Sequence, residues 1–331
     1  MKLATAFAGA CALMLGLLGV ERAGSLAAAF EPPVPPVESR LAPALEAAHT
    51  AVAELREHAP SQQTGARAQE LSAEPVRLIT RQGRVVAAPG GCRSLAQPWD
   101  LLVFFHGAPT AVEPAFEQAE LEGVLVVVNL GIGSGAYEDH FKDRAAFDQL
   151  VERTAGVISE ACPGASATPA SIALGAWSAG YGAVYSILQH RSERERIDAV
   201  LLADGLHAAY LKEHGKRSVF PLQMEPFSDF AERAMAREKL FALTHTEIRT
   251  PGYACTTETA NYLLDFVHLR RVETNQAGPR RDMWLTSYAD GGAFHVRGYS
   301  GNSKQAHADH LLGIGRTLFP MLRDWRSHHS S

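Results

Sequence analysis

Four uninterrupted apolar runs of strand length constrain the fold of this chain more than any other feature. They are DLLVFFHG (100–107), GVLVVVNLG (123–131), SIALGAWS (171–178) and IDAVLLADG (197–205), and segments with helical periodicity follow the last three. Runs without polar alternation are typical of strands buried on both faces, because helices cover both sides of a parallel sheet. The pattern predicts an α/β fold, a mostly parallel sheet of about eight strands with helices on both faces.

Further elements extend this alternation toward both ends. VRLITRQGRVVAAP (76–89) has a glycine-containing turn between two β-rich runs and predicts a hairpin. LFALTHTEI (240–248) predicts another strand, and TTETANYLLDFVHLRRV (256–272) predicts a helix that Thr256 or Thr257 caps.

The N-terminus has the pattern of a secretory signal. Lys2 precedes an uncharged apolar run from Leu3 to Val20, and LAAA (26–29) offers a small-residue cleavage site. An uncleaved membrane anchor is the alternative, since about 18 apolar residues approach the length that spans a bilayer. We therefore expect residues 1–29 to be the signal peptide of a secreted or periplasmic protein.

A leader segment separates this signal from the folded unit. EPPVPPVESR (31–40) is a proline-rich spacer, 41–58 has apolar residues near helical spacing, and 59–75 is polar. We expect residues 30–75 to be mobile or loosely docked and residues 76–331 to form one folded domain.

Composition excludes one class of partner and fits export. The chain has 36 acidic and 31 basic residues, a formal net charge of −5 and no run of Lys or Arg. Nucleic-acid binding is therefore not predicted. Outside the signal, Cys92, Cys162 and Cys255 allow one disulfide and one free thiol in an oxidising compartment.

GAWSAGYG (175–182) places one serine between small residues where a predicted strand meets a predicted helix. A nucleophilic serine is presented on a sharp, strained turn of this kind, so the positions two residues away on either side must be small. Here they are Ala176 and Gly180, while Gly182 lets the new helix pack close to the sheet. The pattern predicts that Ser178 is a nucleophile. A serine that only caps the helix is the alternative.

A strand, a tight serine turn and a helix in the middle of an alternating sheet resemble the α/β-hydrolase superfamily, over roughly residues 76–331. LLVFFHGAP (101–109) adds to the resemblance, because a His-Gly pair commonly follows the third strand of these enzymes. The resemblance implies an oxyanion hole made by backbone N–H groups after that strand and after the nucleophile. On this sequence the donors are Gly107 or Ala108 and Ala179.

The resemblance also implies that the general base is a histidine late in the chain. His295 lies in DMWLTSYADGGAFHVRGYS (282–300), which predicts a strand or hairpin. His307 lies where a loop enters the predicted closing helix (304–325) and is the favoured base, with His310 as the alternative. Histidines three apart on a helix also permit a metal site, but no matching ligand cluster accompanies them, so we expect neither metal nor cofactor.

Two carboxylates compete to orient this histidine. Asp204 stands at the end of a continuous apolar run, where a carboxylate is costly unless it is paired. Glu247 follows the next predicted strand, the more frequent position of the acid in the superfamily. Asp204 is favoured, Glu247 is the alternative and Asp290 is a distant third.

The resemblance further implies a disulfide. In this fold the third strand lies beside the fifth, and both begin at the edge opposite the active site. Cys92 and Cys162 each lie shortly before one of these strands, so we expect a Cys92–Cys162 disulfide and a free Cys255.

These residues together predict a secreted serine hydrolase that cleaves a small-molecule or polymeric carboxylic ester through an acyl-enzyme. A peptidase or amidase with the same triad, a non-catalytic binding protein of the same fold and a metal-dependent enzyme are the alternatives. No stable membrane partner is expected. The aromatic residues expected to line the site are Trp177, Tyr181 and Tyr137, with Tyr210 as a further candidate, and local packing is the alternative for each of them.

Overall fold

The computed structural model describes residues 73–80, 85–213 and 216–329. The predicted signal peptide (1–29) and nearly all of the predicted leader (30–75) lie outside these residues. Within the described part of the chain, no helix is long and apolar enough to cross a membrane.

The described residues contain twelve strands. They are β1 (Val76–Ile79), β2 (Val85–Ala88), β3 (Trp99–Phe105), β4 (Val124–Val128), β5 (Pro169–Trp177), β6 (Ala199–Ala203), β7 (Tyr210–Glu213), β8 (Lys216–Val219), β9 (Leu240–His245), β10 (Val272–Ala277), β11 (Trp284–Gly291) and β12 (Phe294–Tyr299). Ten of them form one sheet in the order β1-β2-β4-β3-β5-β6-β9-β12-β11-β10, and β7 pairs only with β8.

The six central strands of the sheet, from β4 to β12, are parallel, and antiparallel strands flank them on both sides. The predicted fold class is therefore confirmed, but the sheet has ten strands rather than about eight. Much of the difference is β10, which falls partly in the segment predicted as helix. Its sequence VETNQA is polar and mostly exposed, so no alternating apolar pattern marks it as a strand.

The described residues contain nine α-helices. They are α1 (Pro109–Gln118), α2 (Ser134–Phe141), α3 (Arg144–Ala161), α4 (Tyr181–Gln189), α5 (Arg191–Arg196), α6 (Pro221–Met235), α7 (Thr256–Phe266), α8 (Lys304–Leu312) and α9 (Leu318–His329). The predicted closing helix is thus two helices, because a short 3-10 turn at Ile314–Arg316 interrupts it.

Helices cover both faces of the sheet, which explains the continuous apolar runs of β3, β4, β5 and β6. Along β3, the side chains of Leu101, Val103 and Phe105 pack into the cluster beneath α2, α3, α4, α6 and α7. Leu102 and Phe104 point the other way, into the cluster beneath α1, α8 and α9. All five are fully buried, as a strand between two helical layers requires.

The Cys92–Cys162 disulfide is present, with 5.1 Å between the two Cα atoms. Cys92 begins a short 3-10 helix before β3, and Cys162 is the C-cap that follows α3, before β5. These strands are neighbours, so the predicted pairing and its reason are both confirmed. Cys255 is a free, buried thiol, as expected.

Candidate active site

Three residues with a left-handed backbone stand at the carboxyl ends of neighbouring strands. His106 follows β3 with φ 62°, Ser178 follows β5 with φ 50°, and Asp204 follows β6 with φ 43°. Residues other than glycine rarely adopt left-handed backbone angles, and each such residue adds about 1–3 kcal/mol of backbone strain. Such strain persists only where the surrounding structure imposes it, and it clusters at functional sites.

Close backbone approaches hold the turn at Ser178 in place. A Cβ atom on Gly180 would lie 2.3 Å from the carbonyl oxygen of Phe105, so only glycine lets the turn pack against the end of β3. A Cβ atom on Gly205 would lie 2.7 Å from the carbonyl oxygen of Ser178. The serine turn is therefore packed directly against the residue that follows Asp204.

A short hydrogen bond joins Asp204 to His307. The Nδ1 atom of His307 lies 2.6 Å from Oδ2 of Asp204, although 103 residues separate them in sequence. The other oxygen, Oδ1, accepts hydrogen bonds from the Thr246 backbone N–H at 2.9 Å and from the Thr256 hydroxyl at 2.6 Å. The carboxylate is thus fully buried and held on both oxygens.

These contacts keep the Asp204 carboxyl ionised. Burial acts to raise its pKa, but the hydrogen bond from His307, the electrostatic interactions with the His310 and His307 rings and the hydrogen bond from Thr256 outweigh burial, so the pKa lies well below its usual range. An ionised partner at Nδ1 favours the tautomer that carries its proton there. The Nε2 atom of His307 is then available as a base.

The competing acids bind elsewhere. Oε2 of Glu247 accepts the backbone N–H of Gly301 at 3.0 Å, so this side chain holds the loop that leads into α8. Asp290 pairs with His295 at 2.6 Å and with Arg297 at 2.7 Å, on β11 and β12. Of the three candidate carboxylates, Asp204 is the one that forms a hydrogen bond with His307.

Asp204→Asn is expected to lower kcat by about 10⁴-fold, because the amide no longer stabilises the imidazolium and favours the wrong tautomer. Glu247→Gln is the matched control: its amide oxygen still accepts the Gly301 N–H, and we expect kcat within about threefold of the wild type. Steady-state kinetics on the ester substrates expected from the sequence measure both values. A greater loss in the Glu247 variant would assign the acid to Glu247 instead.

His310 lies on the same helix as His307 but makes different contacts. Its Nδ1 atom lies 2.6 Å from the Thr244 hydroxyl, and its buried Nε2 atom has no hydrogen-bond partner among the described residues. Burial lowers its pKa to about 4. The two Nδ1 atoms thus have different partners, and no cluster of three or more metal-binding side chains occurs in the described part of the chain.

Two buried histidines, His245 and His310, make the fold sensitive to acid. Burial, together with the charge of Arg271, lowers the pKa of His245 to about 4, as burial does for His310. The ordinary histidine pKa is about 6.5, so between pH 6.5 and pH 4 the unfolded chain binds protons that the folded chain excludes. The free energy of unfolding therefore falls as the pH falls through this range, by up to about 1.4 kcal/mol per pH unit for each histidine.

His310→Asn is expected to make the free energy of unfolding less dependent on pH, by about 1.4 kcal/mol per pH unit near pH 5. The amide retains a hydrogen-bonding group for Thr244 but does not titrate. Urea unfolding at several pH values between 7 and 5, followed by tryptophan fluorescence, measures this slope. His328→Asn, at the exposed end of α9, is the control. Equal slopes in wild type and His310→Asn would contradict the prediction.

The aromatic residues near the serine divide into two groups. Trp177 is half-buried beside His106 and His307, with ring centroids 5.3 Å and 4.8 Å away. Tyr137 and Tyr181, expected to line the site, are 0% and 3% exposed. That expectation is wrong for these two side chains, because they pack in the core beneath the site.

Two of the tyrosines have structural partners. The hydroxyl of Tyr137 lies 2.9 Å from Nδ1 of His106, so it anchors the histidine of the His-Gly pair. Tyr210 lies on β7, and its hydroxyl donates to the Glu258 carboxylate at 2.8 Å. Neither contact involves the strained serine.

The expected oxyanion donors lie at the ends of β3 and β5, which are paired. Ala179 is in the first turn of the short 3-10 helix Ser178–Gly180, and Ala108 is the N-cap of α1. The first N–H groups of a helix have no intrahelical acceptor, so they are available to an anion. The Asn129 side chain donates to the Gly107 carbonyl at 2.9 Å and fixes this loop.

Two threonines that hold Asp204 were not predicted from the sequence. Thr256 or Thr257 was expected to cap α7, but Cys255 is the N-cap, and its N–H donates to the Glu258 side chain at 2.8 Å. The Thr256 hydroxyl binds Asp204 instead, and Thr246 does so from the end of β9. The segments around Thr246 and Thr256 are rich in threonine, and this was the only feature of the sequence that pointed to hydrogen-bond donors there. No local pattern links these threonines to a carboxylate more than 40 positions away.

Comparisons with known proteins give structural resemblance only. No family model and no curated protein matches the chain. One similar solved structure is an uncharacterised protein from Capnocytophaga ochracea, with 10% identity over 74% of this chain and 63% of that one and a TM-score of 0.42. The enterobactin esterase from Shigella flexneri is 16% identical over 80% of this chain and 62% of its own, with a TM-score of 0.42. A dienelactone hydrolase from Anabaena variabilis is 12% identical over 77% of this chain and 98% of its own, with a TM-score of 0.38. The chain thus spans 63% and 62% of the first two. No residue role follows from similarities this low.

Proposed function

We propose that this protein is a serine hydrolase that cleaves carboxylic esters, with Ser178 as nucleophile, His307 as general base and Asp204 as the acid that orients it. The observation that carries the proposal is the 2.6 Å hydrogen bond between His307 and a fully buried, ionised Asp204, which follows β6, the strand paired with β5, while the strained Ser178 follows β5. A buried carboxylate paired with a histidine next to such a serine is the arrangement that activates a hydroxyl.

The reaction follows from these roles. The Ser178 hydroxyl gives its proton to Nε2 of His307 as the oxygen attacks the ester carbonyl carbon. The resulting oxyanion accepts hydrogen bonds from the N–H of Ala179 and from the Gly107–Ala108 turn. His307 then protonates the leaving alcohol, which breaks the C–O bond and leaves an acyl-enzyme. Water, deprotonated by His307, releases the carboxylic acid and restores the serine.

We propose that the protein acts outside the cytoplasm. The Cys92–Cys162 disulfide supports this location, because structural disulfides persist in oxidising compartments. The apolar N-terminal run from Leu3 to Val20 also supports export, because it has the pattern of a secretory signal.

A fluorophosphonate probe tests the catalytic proposal. We expect stoichiometric labelling of Ser178, identified by peptide mass mapping, and loss of hydrolysis in proportion to labelling. A panel of p-nitrophenyl esters of graded chain length, run beside peptide and sugar-acetate substrates, identifies the bond that is cleaved. Absence of labelling at Ser178 in folded protein would refute the proposal, and loss of activity on chelation would favour a metal-dependent reaction.

A further inference from the structure

Trp177 joins the strand that carries Ser178 to the helix that carries His307. It is the last residue of β5, and its indole Nε1–H donates to the backbone carbonyl of His307 at 3.0 Å, across 130 residues of sequence. His307 lies in the first half of α8, before which the chain is a loop. This hydrogen bond therefore fixes the start of α8 relative to the serine turn.

The indole also contacts the imidazole itself. The ring centroids of Trp177 and His307 are 4.8 Å apart, with an angle of 30° between their planes. The hydrogen bond to Asp204 fixes one ring nitrogen but leaves the ring free to pivot about that contact. A flat aromatic surface beside the ring removes this remaining freedom.

His106 supports the indole in turn. Its ring lies 5.3 Å from that of Trp177 at an angle of 15°, and the hydroxyl of the buried Tyr137 anchors its Nδ1 atom. Burial lowers the pKa of His106, and the nearby His307 lowers it further, so this neighbour stays neutral. The histidine of the His-Gly pair thus helps to hold the tryptophan in place.

We propose that Trp177 is a positioning residue that holds the His307 imidazole in its reactive orientation, and does not serve mainly as a wall of the substrate pocket. The proposal rests on the proposed function, since it assigns Trp177 a task in the same triad. It replaces the expectation that Trp177 is chiefly a substrate-binding residue. The two roles differ in the kinetic parameter that a substitution changes.

The test compares Trp177→Leu, which removes both the hydrogen bond and the aromatic surface, with Trp177→Phe, which removes only the hydrogen bond. We expect kcat to fall by about 30–100-fold in the leucine variant and by about 3–10-fold in the phenylalanine variant, with KM within about twofold of the wild type. The rate of fluorophosphonate labelling should fall in parallel, because it depends on the same activated serine.

Trp284→Leu is the matched control, because Trp284 is 45% exposed on β11 and makes no ring contact with the site residues. We expect it to leave kcat and KM unchanged. All rates are expressed per folded molecule, with the folded fraction taken from urea unfolding.

Three outcomes overturn the proposal: wild-type kcat in Trp177→Leu, a loss confined to KM, or a loss confined to stability. A loss confined to KM would return Trp177 to the substrate pocket. Failure of the proposed function is a separate result, because it appears as absence of labelling at Ser178 in the wild type.

Discussion

Ser178→Ala is expected to lower kcat/KM for every ester substrate by at least about 10⁴-fold and to abolish fluorophosphonate labelling. The substitution removes the nucleophile but leaves the oxyanion donors and the Asp204–His307 pair in place. Any residual rate therefore reports on binding and electrostatic stabilisation alone. Steady-state kinetics and intact-protein mass spectrometry measure the two effects.

The fold should survive this change. At φ 50° an alanine is as strained as a serine, so the substitution leaves the backbone strain unchanged. We therefore expect the free energy of unfolding to stay within about 1 kcal/mol of the wild type. Ser186→Ala, in α4 eight residues after Ser178, is the matched control, since its hydroxyl donates a hydrogen bond to the Glu138 carbonyl and to no other group among the described residues. We expect that variant to retain its activity. Substantial hydrolysis by folded Ser178→Ala would show that another group attacks the ester.

His307→Asn should lower kcat by at least about 10⁴-fold, whereas His310→Asn should keep kcat within about tenfold of the wild type. The amide at position 307 retains a hydrogen-bonding group for Asp204 but offers no base in place of Nε2. At position 310 the imidazole is buried and bonded to Thr244, so its loss affects packing more than chemistry.

The comparison is informative because both histidines lie on α8 and receive the same substitution. Each variant is measured at the pH of maximal wild-type activity and corrected for its folded fraction. If His310→Asn loses more activity than His307→Asn, the two roles are exchanged and Thr244, rather than Asp204, becomes the partner of the base.

The central sheet was predictable because its cause is local. A strand between two helical layers must be apolar on both faces, and the four continuous runs become β3, β4, β5 and β6. Polar strands without this constraint were missed. β10 is an exposed edge strand, and its pairing with β11 depends on tertiary contacts that leave no period in the sequence.

The position of the serine turn was predictable for a similar reason. A sharp turn requires small residues at fixed distances from Ser178. Gly180 is one of them, because a Cβ atom there would clash with the Phe105 carbonyl oxygen. Whether a nearby aromatic residue faces the site or the core was not predictable. The orientations of α2 and α4 put Tyr137 and Tyr181 inside, and helix orientation is decided by packing.

The layered sheet, the serine turn and the short set of candidate acids and histidines at one edge could all be derived from the chain's local patterns, because burial, periodicity and steric limits act between residues close in sequence. The pairing of His307 with Asp204 rather than Glu247, and the contact of Trp177 with that histidine, became evident only in the folded structure. These contacts join residues more than 100 positions apart. They depend on strand order and on how α8 lies across the sheet, and neither leaves a local pattern in the chain.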